Sequence, residues 1–482
     1  MSIRVQVSNL GPLRSAEQEL ATLTILVGEN NSGKTFMATV CHRVMVAQSS
    51  FWFRPRKRDQ TPAAIIDWLK HLAQLTDDVA VPPLEVDRPT IDWAESFASE
   101  FLEEYGQAVR EGLAYAYGIE ANDLRRRTSS RRAADCFLRI SSTDPSWTIQ
   151  VRFDRKEVKV ENVDVLEWIR IAFRRNAAHN RYAREFGESG FNGASDDAVH
   201  LSLGFYRTLA SNFFQNWPRN SIHLPAGRTG IMHSYDVLAA NIVQMASEVG
   251  LRPIEIAPLH GTTADFLSFV IHPARRAFLG RRSPKLGEIT SQLEKEIRAD
   301  VTSVRDAGPK QRIAVRTPEG FFPLSITSSM ISELAPIIFV AKYALDSSSH
   351  LTIDEPESHL HPAMQRRLAD FLVSLANHGV GILITTHSDY LTSEITNAIR
   401  KSHIELQGRR ANGGSRTGIE ISKVKATRFS RSGNHCLTEP IEIDPVDGID
   451  QTTFSTVMEE QYEDSVQLID EIQTNSRRTR SN

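Results

Sequence analysis

Short alternating runs open the chain. In Ile3-Arg4-Val5-Gln6-Val7 apolar and polar residues alternate with the period of a half-buried strand. Gly11-Pro12 predicts a turn, and Leu23-Thr24-Ile25-Leu26-Val27 reads as a buried strand, so residues 1–27 are expected to form a β-meander. A helix carrying Phe36, Met37 and Val40 follows. From about 60 to 127 the period lengthens: Ile65, Ile66, Trp68, Leu69, Leu72 and Leu75 fall on one helical face. Strand alternation returns over 136–160, most clearly in Trp147-Thr148-Ile149-Gln150-Val151-Arg152-Phe153. Helical pattern resumes over 163–213, broken by a Gly/Ser/Asn loop near Gly187–Ser195. A short strand, Ser221-Ile222-His223-Leu224, ends at Pro225-Ala226, and more helix is expected to about residue 300.

After residue 308 the predicted order is strand, turn, helix, strand, helix, strand, helix. The apolar runs 350–353 and 379–385 flank an amphipathic helix whose Met364, Leu368, Phe371, Leu372 and Leu375 share a face. Strands alternating with helices of this length predict a parallel α/β sheet. Two further strands are expected at 418–429 and 435–443, then a helix from about 454 and a basic tail.

Composition narrows the function classes. The 482 residues are 40% hydrophobic and 24% charged with a formal net charge of −3, so no global field drives the chain onto nucleic acid or membrane. The three cysteines, Cys41, Cys136 and Cys436, are too scattered for a disulfide framework or a metal knuckle. No run approaches the roughly 18 apolar residues of a membrane span, and the N-terminus lacks a signal-peptide core. The expectation is a cytoplasmic protein with no membrane partner.

Three segments carry chemistry. Gly28-Glu29-Asn30-Asn31-Ser32-Gly33-Lys34-Thr35 fits G-x-x-x-x-G-K-[ST] between a buried strand and a helix. Such a loop wraps a triphosphate in backbone N–H groups, which requires small residues where phosphate approaches, and the helix N-terminus adds positive dipole. Lys34 is expected on the β- and γ-phosphates and Thr35 on Mg²⁺. The apolar strand ending in Asp354-Glu355 supplies two acids: Asp354 to complete the Mg²⁺ shell, Glu355 as general base for the attacking water. The next apolar strand ends at Thr385-Thr386-His387-Ser388, and parallel strands place both ends at one carboxyl edge, where His387 can sense the γ-phosphate. Ahead of them, Ser328 and Ser329 precede the apolar helix of Ile331, Leu334, Ile337 and Ile338, the position of an N-cap.

Together these motifs resemble the OLD-like branch of the ABC-type ATPases, with more distant similarity to SMC and RecF proteins. The resemblance rests on the G-x-N-N-S-G-K-T loop, the run Ile353–Pro362, the T-T-H-S run Thr385–Ser388 and Pro225-Ala226-Gly227-Arg228. It implies an α/β, two-lobed ABC/SMC-type P-loop ATPase head with large helical insertions. It further implies a homodimer or higher oligomer that closes head-to-tail on two ATP molecules with Mg²⁺. Ser328 and Ser329 would then cap the partner's γ-phosphate, and Ser358–His361 would cross the interface. The sequence departs from the family in having Ser329-Met330 for the common serine–glycine, and in lacking an assignable Q-loop glutamine, whose place Arg228 is a candidate to fill.

The expected organisation is an N-terminal ATPase lobe (1–48), a helical insertion (49–134), first-lobe strands (135–162), and a second insertion (163–305) that contains the 221–228 strand. The second lobe (306–400) and C-terminal strands with a helix (401–482) complete it. No long heptad array marks SMC arms. Asp444, Asp447 and Asp450 are the one acidic group that suggests a metal, but Pro445 and Gly448 argue for a turn. Arginine groups at 125–127 with 131–132, at 170, 174, 181 and 184, and at 275–276 with 281–282 are either solvated helix faces or DNA contacts. By resemblance the chain is expected to be an ATP-driven sensor or switch for a separately encoded effector, a nuclease or toxin, in antiphage defence. An ATP-dependent DNA-binding or repair protein and an OLD-like nuclease are the alternatives.

Overall fold

A computed structural model of the chain describes residues 3–50, 62–65, 86–124, 135–144, 146–169, 212–234, 260–271, 283–305, 311–408, 417–433, 435–449 and 460–471. The three arginine groups, the 187–195 loop, Asp450, the basic tail and most of the periodic stretch 65–75 lie outside them.

One mixed sheet organises the molecule. In chain order its strands are β1 (Ile3–Leu10), β2 (Leu13–Leu20), β3 (Leu23–Gly28), β4 (Phe137–Thr143), β5 (Ser146–Arg152), β6 (Glu157–Val163) and β7 (Asn220–Leu224). They are followed by β11 (Ser349–Asp354), β12 (Gly381–Thr386), β13 (Val424–Ser432) and β14 (His435–Ile441). Their order across the sheet is β6-β5-β4-β1-β2-β14-β13-β3-β12-β11-β7. The strands between, β8 (Asp300–Arg305), β9 (Gln311–Thr317) and β10 (Gly320–Pro323), form a small antiparallel sheet of their own. Strands β1, β2, β4, β5 and β6 make one antiparallel wing. The other half, β13, β3, β12, β11 and β7, is parallel, as the βαβ pattern predicts.

Strand β13 begins at Val424, after a turn at Ile421–Lys423, six residues later than the hydrophobic run suggests. It hydrogen-bonds directly to β3, and β14 pairs in parallel with β2. The C-terminal strands therefore join the two halves of the sheet rather than standing beside it.

The central strands are buried on both faces, and pleating divides their side chains between two cores. Leu26 of β3 and Leu383 of β12 face one core; Leu23, Ile25, Val27, Ile382 and Ile384 face the other. The first core is closed by α1 (Lys34–Ser50) and α2 (Arg88–Tyr117). In α2, Asp87 caps the N-terminus by accepting from Thr90 N, and left-handed Gly118 ends the helix. Phe97, Phe101, Tyr105 and Val109 recur at four-residue spacing along its buried face, and Tyr105 Oη donates to Val44 O of α1 at 2.8 Å. Burial of a side chain such as Phe101 contributes about 2–3 kcal/mol. This helix, which falls in the stretch 49–134, packs into the same core as the sheet. The second core is covered by α3 (Gly261–Ile271), α4 (Pro284–Ile297), α5 (Ser329–Tyr343), α6 (Pro362–Asn377) and α7 (Asp389–Leu406). Among the described residues no helix is long and apolar enough to cross a membrane.

Candidate functional site

Register explains why the site lies where it does. In the parallel half Val27 pairs with Thr386, Asp354 with Thr385, and Ile353 with Leu224. Strands β3, β12, β11 and β7 therefore end at the same level, and the segments leaving them converge. These segments are the glycine loop, the switch histidine, the acidic turn and Pro225–Arg228.

The loop from Gly28 turns through left-handed Asn31 (φ 58°) and Gly33 (φ 94°) before α1 begins at Lys34. Gly28 has φ 141°, and a Cβ there would stand 1.9 Å from Phe429 O on β13, so only glycine fits. Lys34 is buried and its Nζ donates to Gly28 O (2.9 Å), Glu29 O (2.7 Å) and Ser32 Oγ (3.5 Å). Burial lowers its pKa to about 8, against the opposing pull of Glu355, Glu357, Asp354 and Glu29. An ammonium held only by oxygens of its own loop, surrounded by turning backbone at a helix N-terminus, fits a polyphosphate. Thr35, exposed at the same N-terminus, has its hydroxyl available for a cation.

Asp354 is the last residue of β11 and is buried; one carboxylate oxygen lies 2.8 Å from His223 Nε2, and the other accepts from Thr385 Oγ1 at 3.1 Å. Both oxygens retain lone pairs for Mg²⁺. His223, on β7, is a further member of the site; its strand is legible in the sequence pattern, its partnership with Asp354 is not. Behind it His42 accepts or donates to Ser221 Oγ at 2.9 Å, and burial holds His42 and His350 neutral, His350 down to about 3.

Glu355 has φ 45°, a left-handed residue that breaks the strand alternation. This is the reason two adjacent acids can serve one site. Its Oε1 lies 3.5 Å from His387 Nε2, and Ser358 Oγ reaches Oε2 at 3.5 Å. The His387 imidazole is the main cause holding this carboxyl below the usual range, aided by Lys34. The expected base and the expected switch histidine are thus brought together.

Glu357 is a second acid with a defined task. Its Oε1 accepts from His387 N and from Thr386 Oγ1, both at 2.7 Å, so it ties the turn after β11 to the end of β12. Burial raises its pKa. Arg228 is fully buried, and its guanidinium is committed to protein oxygens: Asp354 O (3.0 Å), Glu333 O (3.2 Å), Pro225 O (3.4 Å), and Glu355 O and Pro356 O (3.5 Å). It also pairs with Glu333 Oε2 at 3.0 Å. A side chain so engaged is not available as a substitute for the Q-loop glutamine.

Ser328 is the N-cap of α5, its Oγ accepting from Ile331 N at 3.4 Å, and Ser329 is the first helical residue; both are exposed. They sit at the start of α5 and not at a strand end, and no contact joins their side chains to Lys34, Asp354, Glu355 or His387 among the described residues. Asp444 forms a turn: Oδ1 accepts from Val446 N (2.6 Å) and Asp447 N (3.1 Å), and left-handed Gly448 donates to Asp444 O. Among the described residues no group of three or more His, Cys, Asp or Glu is placed to hold a metal.

A glycine loop at a helix N-terminus, an acidic strand end and a histidine strand end at one carboxyl edge define an α/β P-loop ATPase head. The chain belongs to the family described as "AAA domain, putative AbiEii toxin, Type IV TA system", whose model matches residues 91–393. The match takes in the acidic strand and His387 and leaves the phosphate loop outside. Similar solved structures include the SmcHead bound to the C-winged helix domain of ScpA, at 11% identity over 92% of this chain and 99% of that one, with TM-score 0.40. The SMC head domain from Thermotoga maritima is 9% identical over 92% and 100%, with TM-score 0.35. An Smc head with an extended coiled coil, bound to the C-terminal domain of ScpA derived from Pyrococcus furiosus, is 11% identical over 95% and 98%, with TM-score 0.37. None is close enough to transfer a role to this chain. No curated protein matches.

Proposed function

We propose that the chain binds and hydrolyses ATP and acts as a switch for a separately encoded effector in bacterial antiphage defence. The observation that carries the ATPase reading is the convergence of Lys34, Asp354, Glu355 and His387 at the ends of three adjacent parallel strands. In this reading the Gly28–Thr35 loop, with Asn30, Asn31 and Ser32, cradles the phosphates, and Lys34 neutralises them. Thr35 and Asp354 would hold Mg²⁺, which would offset charge on the phosphate oxygens. Glu355, kept ionised by His387, accepts the proton of the attacking water, and His387 is positioned by Glu357 through its backbone.

Pairing of two heads is the second element. Ser328 and Ser329 are exposed at a helix N-terminus, which suits them to cap an anion on a second copy. Ser329→Arg is expected to leave ATP binding to one head within about threefold and to abolish ATP-induced association by sedimentation. Turnover per head that is independent of protein concentration would count against the composite site.

The effector reading rests on subtraction: among the described residues the chemistry found is consumed by the ATPase site. The family description includes the words "putative AbiEii toxin, Type IV TA system", which favours a second reading in which this chain is itself the harmful member. Expression of the chain alone and with its genomic neighbour, followed by growth and nucleic-acid integrity, separates the two. Damage only with the neighbour supports the switch; damage by the chain alone supports the second reading.

A further inference from the structure

Arg228 joins two parts of the head that the ATPase reading assigns to different nucleotides. On one side its guanidinium donates to the carbonyls of Asp354, Glu355 and Pro356, the backbone of the acidic turn. On the other, Nε donates to Glu333 O and Nη2 pairs with Glu333 Oε2 at 3.0 Å. Glu333 lies on α5 one turn beyond Ser329, and the two share a face at i, i+4 spacing. Pro336, inside the same helix, leaves Ser332 O without its helical donor, next to where Arg228 docks.

A fully buried guanidinium is costly unless its fork is filled, and a rigid planar fork cannot follow one set of partners without disturbing the other. We propose that Arg228 is a positioning residue for ATP hydrolysis: it fixes the turn that carries Glu355 and, through Glu333, couples that turn to the N-terminus of α5. Movement of the turn when the head's own nucleotide is bound or cleaved then shifts Ser328 and Ser329, the residues offered to the second copy. This rests on the reading of Glu355 as the base and α5 as the capping helix.

The test compares the full chain as wild type, Glu333→Gln and the double substitution Arg228→Met/Glu333→Met. The double variant removes both charges and fills the space with apolar side chains, which buried ion pairs often tolerate without loss of fold. Thermal melting is read first, then affinity for a fluorescent ATP analogue, then kcat and KM. Amide hydrogen exchange over 329–343 is followed with and without Mg-ATP. The clamp predicts ATP affinity and KM within about threefold of wild type, kcat lower by roughly tenfold or more, and loss of the ATP-dependent change in exchange over 329–343. A folded variant with kcat within about twofold of wild type and an unchanged exchange response overturns it. Loss of fold in both variants assigns the pair to stability alone and also overturns it. A wild-type chain that neither binds nor hydrolyses ATP refutes the ATPase reading itself, an outcome distinct from wild-type turnover matched by the variants.

Discussion

Glu357 provides a sharp test because the structure gives it a task different from that of its neighbour two residues earlier. Replacing it with alanine deletes the acceptor for His387 N and for Thr386 Oγ1, each bound at 2.7 Å. A hydrogen bond to a charged group contributes about 1.5–3 kcal/mol, and a buried donor left unpaired costs a similar amount. Removing an unfavourably buried carboxylate offsets part of this, leaving a net loss of roughly 2–3 kcal/mol. Glu357→Gln keeps an acceptor for both donors and removes the charge. The pH sign follows from burial, which raises the folded-state pKa of Glu357 above its ordinary 4.5. Between 4.5 and the raised value the folded chain binds more protons than the unfolded one, so the contribution of Glu357 to stability falls as pH rises. Glutamine lacks this dependence. Urea unfolding of wild type and both variants at pH 5 and pH 8 should show the alanine variant destabilised throughout. The glutamine variant should gain on wild type as pH increases. An alanine variant within about 0.5 kcal/mol of wild type, or a glutamine variant whose advantage shrinks at high pH, would refute the assignment.

Two further outcomes follow from the loop. Lys34, lowered to about 8 by burial, carries its charge below that pH and loses it above; ATP affinity should weaken as pH rises through 8, by up to about tenfold per unit, and Lys34→Ala should remove both the affinity and this dependence. A pH-independent affinity between 7 and 9.5, measured by titration calorimetry, would contradict the placement of Lys34. Gly28→Ala forces a Cβ into Phe429 O at 1.9 Å and a positive φ on alanine, strain worth about 1–3 kcal/mol before the clash is counted; it should lower the melting temperature and abolish ATP binding together.

Local features of the site were legible in the sequence, and distant partners were not. The glycine loop, the acidic strand end and the histidine strand end each lie within a few residues of chain, and their spacing follows from phosphate geometry and strand period. The hydrophobic pattern starts strand β13 too early because Ile419 and Ile421 extend its apolar run, although Ile421–Lys423 form a turn. Its position beside β3 depends on a pairing across about 400 residues that no local pattern reports. Glu355 carries no sequence mark of its left-handed backbone, because that conformation is imposed by the turn rather than by the residue type. His223 does leave a signal: a polar ring between Ile222 and Leu224 at the buried end of a short strand needs a buried partner, and that partner is Asp354. Arg228 left a similar one after Pro225, but its role depends on Glu333, which reads in sequence as an ordinary acid in the first turns of a helix.

The most direct test of the central claim is Glu355→Gln, measured for ATP binding and single-turnover hydrolysis on the same preparation. The substitution keeps the size of the side chain and its neighbours His387 and Ser358, and removes the negative charge together with the capacity to take a proton. If Glu355 is the base, the variant binds Mg-ATP within about threefold of wild type and hydrolyses it slower by on the order of 10²-fold. Hydrolysis at the wild-type rate by a variant that binds ATP normally would contradict the account.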